Sequence, residues 1–165
     1  MLHTGQKIKI LVNNHNSELK VREKLNQAGI NPSKTIFYQI CNQDTWIRDY
    51  GPTFVVNSRE KKLAMVKWSF NAWGNKYDDL KEDCNIPYQI NKTMRLPLFE
   101  PGIVLEGGSI EVNGSGTLLT TEQCLLNKNR NPQLKKGEIE QYLRNYLNVS
   151  NILWLKEGIA GDDTD

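Results

Sequence analysis

Histidine is nearly missing from this chain: its 165 residues hold two, His3 and His15. Neither stands near the acidic stretches, and no EF-hand spacing is present, so a bound metal is not expected. His3 reads as a tail residue and His15 as a residue at the start of a helix. Cysteine is sparse as well. Cys41, Cys84 and Cys124 are odd in number, scattered, and without a C-x-x-C pair. That leaves no disulfide framework and reads as reduced thiols in the cytosol. No stretch approaches the roughly 18 apolar residues of a membrane helix. No apolar run precedes Ile8, so a signal peptide is not expected. Neither sign of charge dominates, with 21 basic against 19 acidic side chains. A general electrostatic pull toward nucleic acid or membrane is thereby excluded.

What remains is the composition of a globular domain, 38% hydrophobic and 24% charged, in a chain long enough for a real core. Its pattern repeats. Lys7 to Val12 reads as a strand. Ser17 then caps a helix carrying Val21, Leu25 and Ala28 on one face and ending at Gly29. Ile36 to Ile40 is a second strand. A hairpin follows, Thr53 to Val56 and Leu63 to Trp68, then a weak helical stretch around Tyr77 to Cys84. A short strand, Met94 to Phe99, is made irregular by Pro97. The order recurs. Ser109 to Val112 and Thr117 to Thr121 flank Asn113-Gly-Ser-Gly116, a hairpin turn. Leu134 to Leu147 is a helix with an apolar stripe of Ile139, Leu143, Tyr146 and Leu147. Ile152 to Leu155 closes the unit. A ββαβ unit repeating at about 50 residues predicts an α/β array of blades rather than one open sheet.

Acids fall at one place in each unit, just after its closing strand. They are Asp44 and Asp49, then Glu106, then Asp162, Asp163 and Asp165. Around an axis these loops would converge, and clustered carboxylates need a partner. A cationic organic ligand, a metal, or structural Arg and Lys would each serve. Exposed loops also carry Asp and Gly for purely local reasons. Trp46, three residues before Asp49, favours a flat cation with an apolar stem. Arg48 reads as structural, neutralising neighbouring acids. Gly107-Gly108 would permit close approach of backbone or ligand. Asn127-Lys-Asn-Arg-Asn-Pro132 reads as a solvated loop rather than a nucleic-acid contact.

Several stretches in order resemble the agmatine deiminase branch of the guanidine-modifying superfamily. They are Asp44-Thr-Trp-Ile-Arg-Asp-Tyr-Gly-Pro-Thr53, Phe70-Asn-Ala-Trp-Gly-Asn-Lys-Tyr77, and Leu105-Glu-Gly-Gly-Ser-Ile110 with Thr117 to Pro132. The bacterial peptidyl-arginine deiminases are similar. The resemblance implies a five-bladed α/β propeller (pentein), of which residues 1–165 would form two and a half to three blades with no separate second domain. It implies hydrolysis of a guanidinium group: a cysteine thiolate attacks the guanidinium carbon of agmatine, ammonia leaves, and water releases N-carbamoylputrescine, a step of polyamine metabolism. No cofactor or metal is implied, and the setting is cytoplasmic.

By position, Asp49 matches the carboxylate that grips two guanidinium nitrogens, and Trp46 an aromatic wall of the substrate site. Glu106 matches a catalytic acid that bonds the guanidinium and orients the catalytic histidine. Asp163 falls where an acid would meet the distal amine. In the family, a Gly-His-x-Asp stretch with that histidine follows the position of Asp165, the nucleophilic cysteine comes much later, and an opening segment precedes Met1. The expectation is a fragment lacking both ends and inactive alone, completed by a second chain or missing segment, with self-association through its open edge. The alternatives are a non-catalytic module binding agmatine, arginine or a polyamine, and a protein-arginine deiminase.

Overall fold

The structure is a computed structural model and describes residues 5–162. The described residues form two compact bodies, divided between Gln43 and Asp44.

In the first body, β1 (Ile8–Val12) pairs in parallel with β2 (Thr35–Gln39), Ile8 opposite Thr35 and Val12 opposite Gln39. Helix α1 (His15–Gln27) makes the crossover. Its cap is Asn14, not Ser17. The Asn14 Oδ1 accepts the backbone N–H of Ser17 at 2.9 Å, the bond that a helix start needs because its first N–H groups lack helical partners. Ser17 therefore sits three residues inside the cap. Arg22 lies over the Phe37 ring, 4.3 Å from its centroid, which ties α1 to β2.

The second body holds two copies of one unit. β3 (Thr53–Asn57) and β4 (Lys62–Val66) form an antiparallel hairpin, and β4 pairs in parallel with β5 (Leu98–Phe99). β6 (Ile110–Val112) and β7 (Thr117–Thr121) form the next hairpin, and β7 pairs in parallel with β8 (Asn151–Leu155). Strand order and pairing sense are identical in the two, as the repeat predicts. The helical content between β4 and β5 differs from expectation. Asp78–Asn85 is a 3-10 stretch, and a true helix, α2, follows at Ile86–Met94. Pro87 at its first turn has its φ already set for a helix and loses no bonded N–H there. Met94 thus ends a helix instead of starting a strand, and β5 is only two residues long. Pro97 has no N–H for the ladder, although its carbonyl accepts from Met65 N at 2.9 Å.

Helix α3 (Lys136–Leu147) starts on Lys135, whose N–H donates to the Glu138 carboxylate at 2.7 Å. Ile139 and Leu143 are fully buried. They join Val66, Trp68, Leu105 and Leu118 in one core shared by both units, so neither hairpin buries its apolar face alone. This core sets the position of the loops that follow the strands.

Candidate guanidinium-binding site

Beyond β5 the chain runs on beside Ser69, which bridges in parallel to Val104. Ser69 N donates to Ile103 O at 2.9 Å and Leu105 N donates to Ser69 O at 3.1 Å. That ladder ends one residue before Glu106 and delivers its side chain to the floor of a cavity of about 670 Å3. Asp49 reaches the same cavity from the single helical turn Ile47–Tyr50. Asp83, buried at 1% exposure, accepts the Asp44 N–H at 3.0 Å, and the Tyr50 hydroxyl donates to Asp44 O at 2.6 Å. These bonds fix the loop that carries Trp46.

Both oxygens of Asp49 are engaged. Oδ1 accepts the Gly108 N–H at 2.9 Å and Oδ2 accepts the Trp73 indole N–H at 3.2 Å. A Cβ on Gly108 would land on Asp49 Oδ1, and a Cβ on Gly107 would land on the Arg48 carbonyl. The glycine pair is thus required by close approach, as its sequence suggested. Glu106 is buried at 2% exposure. Its Oε1 accepts from Arg130 Nε at 2.8 Å, and its Oε2 lies 3.8 Å from the Cys124 thiol.

Burial is the first influence on both acids. It pushes the Asp49 carboxyl above its ordinary value, against the pull of the Trp73 and Gly108 donors. Burial likewise pushes Glu106 up, with Arg130 pulling it back and the charge of Asp49 adding to the rise. Each carboxylate therefore gains from a cation placed in the cavity.

Arg130 is the residue that sequence reasoning missed. Its side chain is 0% exposed, and Asn131 is buried at 5%, which corrects the reading of residues 127–132 as a solvated loop. Asn131 bonds the backbone of Val104 on both sides, accepting from N at 2.9 Å and donating to O at 2.8 Å. It acts as a substitute strand. Arg48 is structural, as expected, but the acid it pairs with lies elsewhere. Its ion pair, 3.3 Å, is with exposed Glu111, and its Nε donates to Gly107 O at 3.1 Å. Arg48 braces the loop and touches Asp49 only through its field; the neutralising cation is Arg130.

Trp73 is the second omission. It sits in a turn where Ala72, Trp73, Gly74 and Asn75 have φ of 53, 54, 80 and 64°. Left-handed backbone costs a non-glycine residue about 1–2 kcal/mol, and three of the four carry a Cβ. The surroundings hold the turn. Gly74 N donates to Asn71 Oδ1 at 2.8 Å, and Asn75 N donates to Asn71 O at 2.8 Å. The Trp73 ring is wedged edge-on between Phe70 and Tyr77, at 5.1 and 5.8 Å.

Of the residues expected to form the site, Asp49, Glu106 and Trp46 all line this one cavity. Trp46 is 59% exposed. Asp44 and Asp162 line it too. Asp163 lies outside the described residues, as does Asp165. Among the described residues, no group of three or more His, Cys, Asp or Glu is placed to hold a metal ion. No helix among them is long and apolar enough to cross a membrane.

The chain is 43% identical over 143 residues to the agmatine deiminase of Medicago truncatula, covering 80% of this chain and 38% of that protein. It is 47% identical over 132 residues to the agmatine deiminase of Pseudomonas syringae pv. tomato, covering 77% and 36%. Among solved structures, the agmatine deiminase of C. jejuni with substrate bound matches with a TM-score of 0.86 and 32% identity, over 99% of this chain and 46% of that one. The chain spans little more than a third of the length of these curated relatives. Its fold is an α/β portion of the pentein propeller of such enzymes. The model of the Porphyromonas-type peptidyl-arginine deiminases matches residues 1–165, and this chain belongs to that family.

Proposed function

We propose that this chain supplies the guanidinium-binding wall of an agmatine deiminase-type hydrolase. The observation that carries the reading is the meeting of Asp49 and Glu106, 57 residues apart in sequence, on one cavity beside the Trp46 and Trp73 rings. A planar cation with N–H groups on several edges satisfies two fixed carboxylates better than a compact ammonium does. Asp49 binds the guanidinium from one side. Glu106, held by Arg130, meets it from another and stands where it can orient a histidine that handles protons. Trp46 lies against the flat cation and its apolar stem. The reaction displaces an amino group of the guanidinium as ammonia when a cysteine thiolate attacks its carbon, and water then attacks that intermediate, freeing the thiolate and N-carbamoylputrescine. None of the roles given to these residues is the nucleophile's.

Agmatine is favoured over a peptidyl arginine because Asp44 and Asp162 line the same cavity. They suit the second positive end of agmatine, a charge that a peptide-bound arginine lacks. We assign the distal amine to this end of the cavity, with Asp163 beside Asp162 in sequence. A cytoplasmic setting accords with three cysteines that stand as thiols. Titration calorimetry of the chain with agmatine tests the reading. Saturable binding is expected, weakened about tenfold or more by Asp49→Asn and out-competing an N-acetylated, amidated arginine. Absence of heat, or an affinity indifferent to Asp49→Asn, would refute it.

A further inference from the structure

Two carboxylates can read a guanidinium only while their relative placement is held. Trp73 donates to Asp49, and Arg130 donates to Glu106. One tie between the acids is the Gly108 N–H on Asp49, two residues beyond Glu106; a second runs through a pair of asparagines. Asn71 Oδ1 accepts from Gly74 N at 2.8 Å, fixing the left-handed turn that aims Trp73. From the same side chain, Nδ2 donates to the Asn129 carbonyl at 2.9 Å. Asn129 in turn accepts from Arg130 Nη1 on Oδ1 at 2.8 Å. A Cβ on Gly74 would strike the Asn129 amide and Arg130 Nη1, so the turn and the arginine loop are in direct contact. The bonds run without a break from Asp49 through Trp73, the turn, Asn71, Asn129 and Arg130 to Glu106.

We propose that Asn71 and Asn129 are positioning residues whose bonds lock the Trp73 turn to the Arg130 loop, so that the two carboxylates select a guanidinium over a simple ammonium. The proposal rests on the guanidinium-binding reading above. The chemistry supports a mechanical role. An amide side chain carries a donor and an acceptor on one rigid plane, and Asn71 uses one on each half of the clamp. Neither asparagine brings charge, so neither alters the attraction of the cavity for cations in general. Backbone strain at residues 72–75 gives the turn a reason to relax once Asn71 is gone. Relaxation would swing the indole N–H away from Asp49, leaving its charge but not its aim.

The test compares agmatine with 1,5-diaminopentane, a dication of similar reach without a guanidinium, by calorimetry on the full chain. Asn71→Ala and, separately, Asn129→Ala are expected to weaken agmatine about tenfold while shifting the diamine less than about twofold. Equal losses for both ligands, or no loss for agmatine, would overturn the proposal. A readout without ligand accompanies it. In 15N-labelled protein the Trp73 indole N–H resonance should move as Asp49 titrates, and that coupling should vanish in Asn71→Ala, while Asn129→Ala, which keeps the main-chain carbonyl bonded to Asn71, should alter it less. If the unaltered protein binds no agmatine, the guanidinium reading fails and the resonance decides the clamp by itself. A Trp73 signal that follows pH identically in all three proteins would refute the clamp.

Discussion

Replacing Arg130 with methionine removes the only side-chain cation bonded to Glu106 among the described contacts, and leaves a carboxylate that is 2% exposed. Taking one partner from a buried ion pair costs about 3–5 kcal/mol, because the survivor keeps its desolvation without its compensation. Against a total stability of about 5–15 kcal/mol this is a large loss. Its size should depend on pH in a set direction. Burial already raises the carboxyl of Glu106 despite Arg130. Between its ordinary range and that raised value the folded protein holds a proton that the unfolded chain releases, so stability falls as pH rises through the window. Without Arg130 the folded value climbs further and the window stretches toward neutrality. The penalty of Arg130→Met should then be largest near pH 8. It should shrink below the ordinary carboxylate range to the about 1–2 kcal/mol of lost donors around Asn129. Urea unfolding of both proteins across that range measures it. Adding Glu106→Gln to Arg130→Met should recover most of the loss at pH 8, since no buried charge remains. A penalty unchanged with pH, or a double variant no more stable than the single one, would refute the assignment of Arg130 as the counter-charge.

Other outcomes follow from the same geometry. Because burial lifts the Asp49 carboxyl, protons compete with a guanidinium at a higher pH than for an ordinary aspartate. Agmatine affinity should fall as pH drops through that raised value, and a calorimetric profile flat down to pH ~4, near the ordinary range, would contradict it. Trp46→Ala should change stability by less than about 0.5 kcal/mol, since the ring is 59% exposed. The same change should weaken agmatine by about 0.5–2 kcal/mol if the indole faces the cation; an unaltered affinity would remove it from the site. Gly107→Ala puts a methyl group against the Arg48 carbonyl and should cost about 1–3 kcal/mol of stability in a thermal melt. Gly108→Ala meets the Asp49 carboxylate instead, so its main effect should be on ligand binding; a variant that binds agmatine normally would show that Asp49 is not held as described.

Some of the sequence was legible because its signal is local. The Asn113 to Gly116 turn, the stripe of Ile139 and Leu143, and the order of strands and helices depend on periods of two and 3.6 residues within a single segment. The hairpins and helix α3 appeared within a residue or two of expectation. The recurring place of the acids, just past each closing strand, is likewise a pattern along the chain. What a side chain meets from another segment is not written in that pattern. Arg130 looks like a loop cation until the ladder beside Ser69 brings Glu106 to it across 24 positions. Trp73 looks like one more apolar residue until a left-handed turn, unfavourable on its own, is held by Asn71 and aims its indole at Asp49. The amino-acid order thus determined the repeat and the acids that line the cavity. Tertiary structure alone decided which cation and which donor hold them, because a buried charge is tolerable only where a distant partner arrives to compensate it.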